Sequence, residues 1–300
     1  MLKTMYNASE IRNAAPRTGS QCAYFGECGG CSAQDVPYEE QLKHKAHFLQ
    51  ELLAEWWNEP IEVLPAPEIW HYRNKVDLNF SRKHYDEPPP KDFVRDTVLG
   101  YTRKGKWYWP LDIEACSIAP MCTEAILDAA RSWYRANDVR ADDHRTGDGA
   151  LRALLIREGR RTGETMVMLC TNEKDVDEAS FVEAMSSAGP ITSIYRGISR
   201  GRSQGAYADE LHHLAGETHI HEELHIPVGD SVRVFRYAMS PLSFFQTNSL
   251  ATELLYREIR SWVEATAPTI LYDLYGGTGG IAITCADLVD MIRSVDNVPD

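Results

Sequence analysis

The sequence predicts an α+β N-terminal and central region followed by the start of a doubly wound, Rossmann-like α/β domain. Three observations carry that expectation. A helical stripe follows a cysteine-rich N-terminal segment, the middle of the chain is a succession of short β-like runs, and the last sixty or so residues read helix, strand, glycine turn, helix, strand.

The first helix is expected in "YEEQLKHKAHFLQELLAEWW", where Leu42, Leu49, Leu52, Leu53 and Trp56 recur at spacings of three, four and seven, and Asn58 to Pro60 end it. From "IEVLPAP" to about Arg236 come "KVDLNFS", "TVLGYT", "ALLIRE" and "TMVMLCT", with helices expected near Met121 to Ala136 and Ala179 to Ser187. "EPPPKDF" has strand patterns on both sides, so it reads as a proline-rich loop inside a hairpin and not as a linker. From about Tyr237, "SLATELLYREIRSWVEA" is helical, "TILYDLY" is an apolar strand, and a glycine turn, a helix and the strand "MIRSVD" follow. The expected organisation is a tail over 1–20, a cysteine segment with its helix over 21–57, a central α+β region over 58–236 and the opening of the α/β domain over 237–300.

With 43% hydrophobic residues in 300, the chain can bury a sizeable core. It has no run of about 18 apolar residues, and "MLKTMYNASEIRNAAPRTGS" holds no apolar stretch, so neither a membrane span nor a signal peptide is supported and a cytoplasmic location is expected. The net charge of -13 argues against phosphate at first sight. Between Trp70 and Trp109, however, nine basic residues stand against five acidic ones, a local +4 interleaved with Tyr72, Phe80, Tyr85, Phe93, Tyr101, Trp107 and Tyr108. Contact with a phosphate backbone and unstacked bases would need such a segment, and a solvated β-meander is the plainer alternative.

"CAYFGECGGC" spaces Cys22, Cys28 and Cys31 as C-x5-C-x2-C, and "CSIAPMC" offers Cys116 or Cys122 as a fourth thiolate. In a reducing compartment that clustering points to metal or redox chemistry, and the spacing leaves zinc and an iron–sulfur cluster both open. Gly26, Gly29 and Gly30 let the backbone wrap closely and turn amide hydrogens toward sulfur. "YDLYGGTGGIAI" reads as G-x-G-x-x-A from Gly277 through Gly279 to Ala282, and Asp296 lies about 17 residues after Gly279, where a ribose-binding carboxylate is expected. A nicotinamide dinucleotide and S-adenosylmethionine look alike at this level. Phe244 and Phe245 are expected in the core, Gln246 as a helix cap, a buried hydrogen-bond partner or a ligand contact, and the histidines of "HHLAGETHIHEELH" on polar faces of strands.

"CAYFGECGGCSAQDVPYEEQLKHK", with Gln34, Tyr38, Gln41, Leu42 and Lys45 in the pattern Gln-x-x-x-Tyr-x-x-Gln-Leu-x-x-Lys, resembles the iron–sulfur segment of the RNA uracil-5-methyltransferase family. The resemblance continues through "YRNKVDLNFS", "GALRALLIRE", "SPLSFFQTNSLATELLY" and "DLYGGTGG", nearly the whole chain. It implies a [4Fe-4S] cluster on Cys22, Cys28, Cys31 and Cys116. It also implies S-adenosyl-L-methionine at Gln246, Asp273, Tyr275, Gly277, Gly279 and Asp296, and methyl transfer to carbon 5 of uridine in RNA. The cluster cysteines favour 23S ribosomal RNA over transfer RNA, and a monomer without membrane contact is expected. One departure is Gly276, where the family has Cys or Ser, and a looser loop is expected there. The family's Asn-Pro-Pro-Arg, Ser-Cys and late glutamate motifs do not occur in these residues. The chain is therefore expected to be an amino-terminal portion, inactive alone, with the nucleophilic cysteine and basic glutamate downstream of Asp300. A non-catalytic iron–sulfur RNA-binding module is the alternative reading, and an electron carrier would leave "FFQTN" unexplained.

Overall fold

The computed structural model describes residues 21–90, 93–201 and 205–297; the expected tail over 1–20 and Lys91 of the basic segment lie outside them. The centre is a seven-stranded sheet of β1 (Lys75–Arg82), β2 (Thr97–Arg103), β3 (Lys106–Asp112), β4 (Leu151–Glu158), β5 (Thr165–Thr171), β6 (Ser193–Ile198) and β7 (Glu210–Gly216). The spatial order is β3-β2-β1-β4-β5-β6-β7, antiparallel throughout except for the parallel β5–β6 pair. That crossover carries α3 (Glu178–Ser187), as a parallel pair needs.

Every residue of β5 and all but the last of β4 are buried, because both faces of the sheet are covered. Alternation along the strands splits the apolar run into two cores. Leu154, Ile156, Val167 and Leu169 pack beneath α2 (Thr123–Ala136) and α3 with Ile126, Leu127, Trp133 and Phe181. Ala153, Leu155, Met166 and Met168 pack on the other face against the hairpin of β8 (Ile220–Val228) and β9 (Ser231–Met239), through Ile220, Leu224, Phe235 and Met239. Helix α4 (Ser249–Thr266), capped by Asn248 Oδ1 accepting from Ala251 N at 3.0 Å, adds Tyr256 to this second core.

Two findings differ from the sequence reading. Helix α1 (Tyr38–Leu53) stops before Trp56, which is 74% exposed, and none of its residues is fully buried; the apolar stripe meets the protein along a half-buried side only. Strand β9 runs across residue 236, where the change of texture suggested a boundary, because its inward residues share one core with the sheet. The chain ends in a parallel pair, β10 (Ile270–Leu274) and β11 (Met291–Val295), joined through the short α5 (Gly280–Cys285), the arrangement expected for the start of a doubly wound sheet. Among the described residues, no helix is long and apolar enough to cross a membrane.

Candidate functional site

The cysteine loop is stitched onto the basic β2–β3 hairpin. Gly29 N donates to Thr102 O at 3.0 Å, Lys104 N donates to Glu27 O at 2.7 Å, and Cys28 sits opposite Arg103 as an isolated bridge. The turn that allows this runs through Gly26 at φ 93°. Strand β3 then delivers Cys116, and Tyr24 Oη accepts from Glu114 N at 3.0 Å. As a result Cys22, Cys28, Cys31 and Cys116 line one cavity of about 110 Å³, with Arg73 and Tyr101 in its wall. Cys122 does not line it. Gly30 N donates to Cys28 Sγ at 3.3 Å, and Gln34 Nε2 donates to Cys31 Sγ at 3.4 Å. Burial pushes the Cys28 and Cys31 thiols up, and the neighbouring Cys116 and Cys22 push in the same direction. Burial raises Cys122 to about 11.

Among the described residues, no three His, Cys, Asp or Glu side chains converge tightly enough for one metal ion. Four thiols around a shared cavity, two of them accepting N–H bonds, are the donor set that a thiolate-bound metal or an anionic cluster would draw on.

The second constellation lies at the end of β10. Tyr275 (φ 61°), Gly277 (φ 52°) and Gly279 (φ 73°) form a left-handed turn closed by Gly279 N donating to Gly276 O at 2.8 Å. Asp296, exposed at the end of β11, accepts from Gly277 N at 2.8 Å. Gly276 is tightly held, contrary to the looser loop expected. Its N–H donates to Val295 O, and a Cβ there would stand 2.1 Å from Ser294 Oγ. Phe244 lies over this turn, 3.6 Å from where a Gly277 Cβ would be. It is 66% exposed, not in the core, because the turn covers only part of its ring, whereas Phe245 is buried against Tyr237 as expected.

Gln246, two residues on, is exposed, and Tyr275 is 86% exposed. Asp273 points inward: it is 6% exposed, and its Oδ2 accepts from Ala282 N at 3.1 Å, so it braces the turn. The structure thus brings Phe244, Gly277 and Asp296 together and sets Asp273 behind them.

Sequence reasoning missed the residues that hold this segment. Asn74, 2% exposed, donates from Nδ2 to Gln246 O and to Ser249 Oγ, both at 2.8 Å, and from its backbone to Thr247 O at 2.8 Å. Ser249 Oγ donates in turn to the buried Glu222, which also accepts from Arg160 N and Arg161 N. Arg157, 1% exposed, donates to Ser240 O at 2.8 Å and Ser243 O at 2.6 Å, just ahead of Phe244. The one signal was an asparagine inside "YRNKVDLNFS", at the mouth of an apolar strand.

The basic segment is a three-stranded meander at one edge of the sheet, and much of its charge is locally matched. Lys75 pairs with Asp77, Lys83 with Asp96, Arg82 with Asp143 and Arg103 with Glu27. Lys104 and Lys106 remain exposed at the hairpin tip, with Lys106 Nζ 4.5 Å from the Trp109 ring centroid. Arg73 lines the cysteine cavity and also a second one of about 370 Å³ shared with Lys75, Phe244 and Thr247. Of the histidines on β7 and β8, His221 pairs with Glu164 and His225 with Glu223, whereas His213 meets the backbone carbonyl of Glu217.

No family model matches the chain. It is 31% identical, over an alignment of 300 positions that covers 93% of this chain and 65% of the other, to an uncharacterized RNA methyltransferase of Protochlamydia amoebophila. It is 30% identical over 277 residues to the tRNA (uracil(54)-C(5))-methyltransferase of Pyrococcus furiosus, covering 92% of this chain and 59% of that one. Among solved structures, the Pyrococcus abyssi tRNA (uracil-54, C5)-methyltransferase in complex with S-adenosyl-L-homocysteine superposes with a TM-score of 0.70 at 26% identity, covering 90% of this chain and 59% of that chain. The chain spans about six-tenths of the length of the relatives it matches.

Proposed function

We propose that this chain, a relative of the RNA uracil-5-methyltransferases over nearly all of its length, provides the RNA-binding surface and the methyl-donor turn of an enzyme that methylates carbon 5 of uridine. The observation that carries the reading is the meeting of Phe244 with the Gly277 turn, since it joins "FFQTN" to the glycine loop in one place. Likeness to a structure solved with S-adenosyl-L-homocysteine supports S-adenosyl-L-methionine over a dinucleotide. In this reading Gln246, Tyr275, Gly277, Gly279 and Asp296 face the donor, and Asp273 fixes the turn from behind.

The four thiols of Cys22, Cys28, Cys31 and Cys116 would hold the [4Fe-4S] cluster. When bound, it would serve as a cross-link between the N-terminal loop and the end of β3. Gly30 N and Gln34 Nε2 stabilise negative sulfur at Cys28 and Cys31, and Arg73 in the wall brings a positive charge. Exposed Lys104 and Lys106 beside this loop provide the phosphate contacts.

The relatives' names favour transfer RNA as the substrate, against the expectation of 23S ribosomal RNA. The test is to express the protein from its complete natural reading frame and incubate it with methyl-labelled S-adenosylmethionine, unmodified transfer RNA and unmodified ribosomal RNA. Labelled 5-methyluridine is expected, abolished by Gln246→Ala. RNA binding with no label in any nucleoside would favour the non-catalytic module, and label in another nucleoside would overturn the reading.

A further inference from the structure

We propose that the groove between Pro89, Pro90 and Phe93 on one side and the turn over 142–146 on the other is a second RNA contact, which takes unpaired nucleotides flanking the reacting uridine by stacking bases on Phe93 and Tyr108. The proposal rests on the RNA methyltransferase reading. The groove encloses about 520 Å³ and is walled by Pro89, Pro90, Phe93, Arg95, Tyr108 and Arg145. Phe93 is 46% exposed and Tyr108 56%, so each presents ring surface to the solvent. The Phe93 ring is held edge-on by Tyr85, with centroids 5.4 Å apart at 88°, which fixes the orientation of a stacking platform.

The electrostatics select the occupant. Asp142 and Asp143 also line the groove, but both carboxylates are engaged. Asp142 accepts from Arg152 Nε at 2.9 Å and Asn172 Nδ2 at 3.0 Å; Asp143 accepts from Arg145 N at 2.9 Å and pairs with Arg82 at 2.9 Å. Arg145 also acts on the Asp143 carboxylate, and with Arg82 and Arg95 it gives the groove three cations against two carboxylates, a local surplus of positive charge on a chain whose net charge is -13. Exposed rings beside a surplus of arginines suit splayed bases and their phosphates; a duplex, whose bases are already stacked, can use only the cations.

Placement explains what the contact would do. Strand β1 begins at Lys75, next to the Asn74 that holds Gln246, and ends at Arg82 in the groove wall. At about 3.3 Å per residue its eight residues set the groove roughly 23 Å from that end. One RNA strand engaging both ends would bind its uridine at a raised effective concentration.

The test is fluorescence anisotropy with a labelled single-stranded RNA of mixed sequence and a duplex RNA of equal length. Replacing both rings (Phe93→Ala with Tyr108→Ala) should weaken single-strand binding about tenfold or more and change duplex binding by less than about twofold. Arg95→Glu with Arg145→Glu should weaken both and flatten the salt dependence. The ring-preserving pair Phe93→Tyr and Tyr108→Phe should bind as wild type does, which separates stacking from a folding defect. Unchanged single-strand binding without the rings, equal losses on both RNAs, or weak binding by the ring-preserving pair would overturn the proposal. If Lys104→Glu with Lys106→Glu abolishes binding while ring removal does not, the groove alone falls. If wild type binds neither RNA, the RNA reading falls with it.

Discussion

Asn74 shows how one buried side chain can set a binding segment. Its amide and backbone N–H together reach Gln246 O, Thr247 O and Ser249 Oγ, so three atoms of the stretch that precedes α4 depend on one residue ahead of β1. Removing its side chain takes the Nδ2 donor from Gln246 O and Ser249 Oγ while the backbone bond to Thr247 O remains, and a buried acceptor left unpaired costs about 1–3 kcal/mol. Asn74→Ala is therefore expected to lower stability by about 2–3 kcal/mol in urea denaturation. It should also weaken S-adenosyl-L-homocysteine binding at a temperature where the variant is still folded. A loss within about 0.5 kcal/mol, the range of an ordinary surface change, would remove Asn74 from this role. At this scale the sequence was legible where chemistry is local. Glycines at a strand end and an acidic residue at the next strand end are read from spacing. Phe244 and Asp273 were not, since whether a ring is covered and which way a carboxylate turns are decided by neighbours distant in sequence.

Among the elements, the cysteine loop and the β2–β3 hairpin behave as one unit, joined by the Gly29 to Thr102 and Lys104 to Glu27 hydrogen bonds. Tyr24 and Cys28 pack against the main core, and the remaining order of the loop should depend on what its thiols hold. Protein purified without oxygen is expected to be brown with four irons per chain, in keeping with a [4Fe-4S] centre. Cys22→Ser, Cys28→Ser, Cys31→Ser and Cys116→Ser should each strip iron, and Cys122→Ser should not. Stoichiometric zinc without iron would contradict the assignment. Spacing alone left Cys116 and Cys122 undecided; the fold separates them, because Cys122 lies outside the cavity that Cys116 lines. Helix ends were less legible than helices. The α1 periodicity extends to Trp56, but the chain turns after Leu53, so the last member of the stripe stays in solvent.

For the whole molecule, the sheet sandwiched between α2 and α3 on one side and the β8–β9 hairpin with α4 on the other is the frame that joins the functional parts. Strand β1 and the two residues before it touch all three: the cysteine cavity through Arg73, the donor segment through Asn74, and the distal groove through Arg82. Fold class was legible from period and order of elements, and the closing helix, strand and glycine turn appeared as expected. A boundary near residue 236 was not, because composition changes where the chain passes from sheet face to helix, while the core runs on through Phe235, Tyr237 and Met239. The central claim is that the Gly277 turn and Gln246 form a single donor site for S-adenosylmethionine. Its most direct test is a titration of the isotope-labelled chain with S-adenosyl-L-homocysteine, followed by amide NMR. The account predicts that the backbone amides of Gly277, Thr278 and Gly279 and the side-chain amide of Gln246 shift together, saturably, and that a nicotinamide dinucleotide leaves them in place. Equal shifts with the dinucleotide, or shifts at the glycines without Gln246, would contradict it.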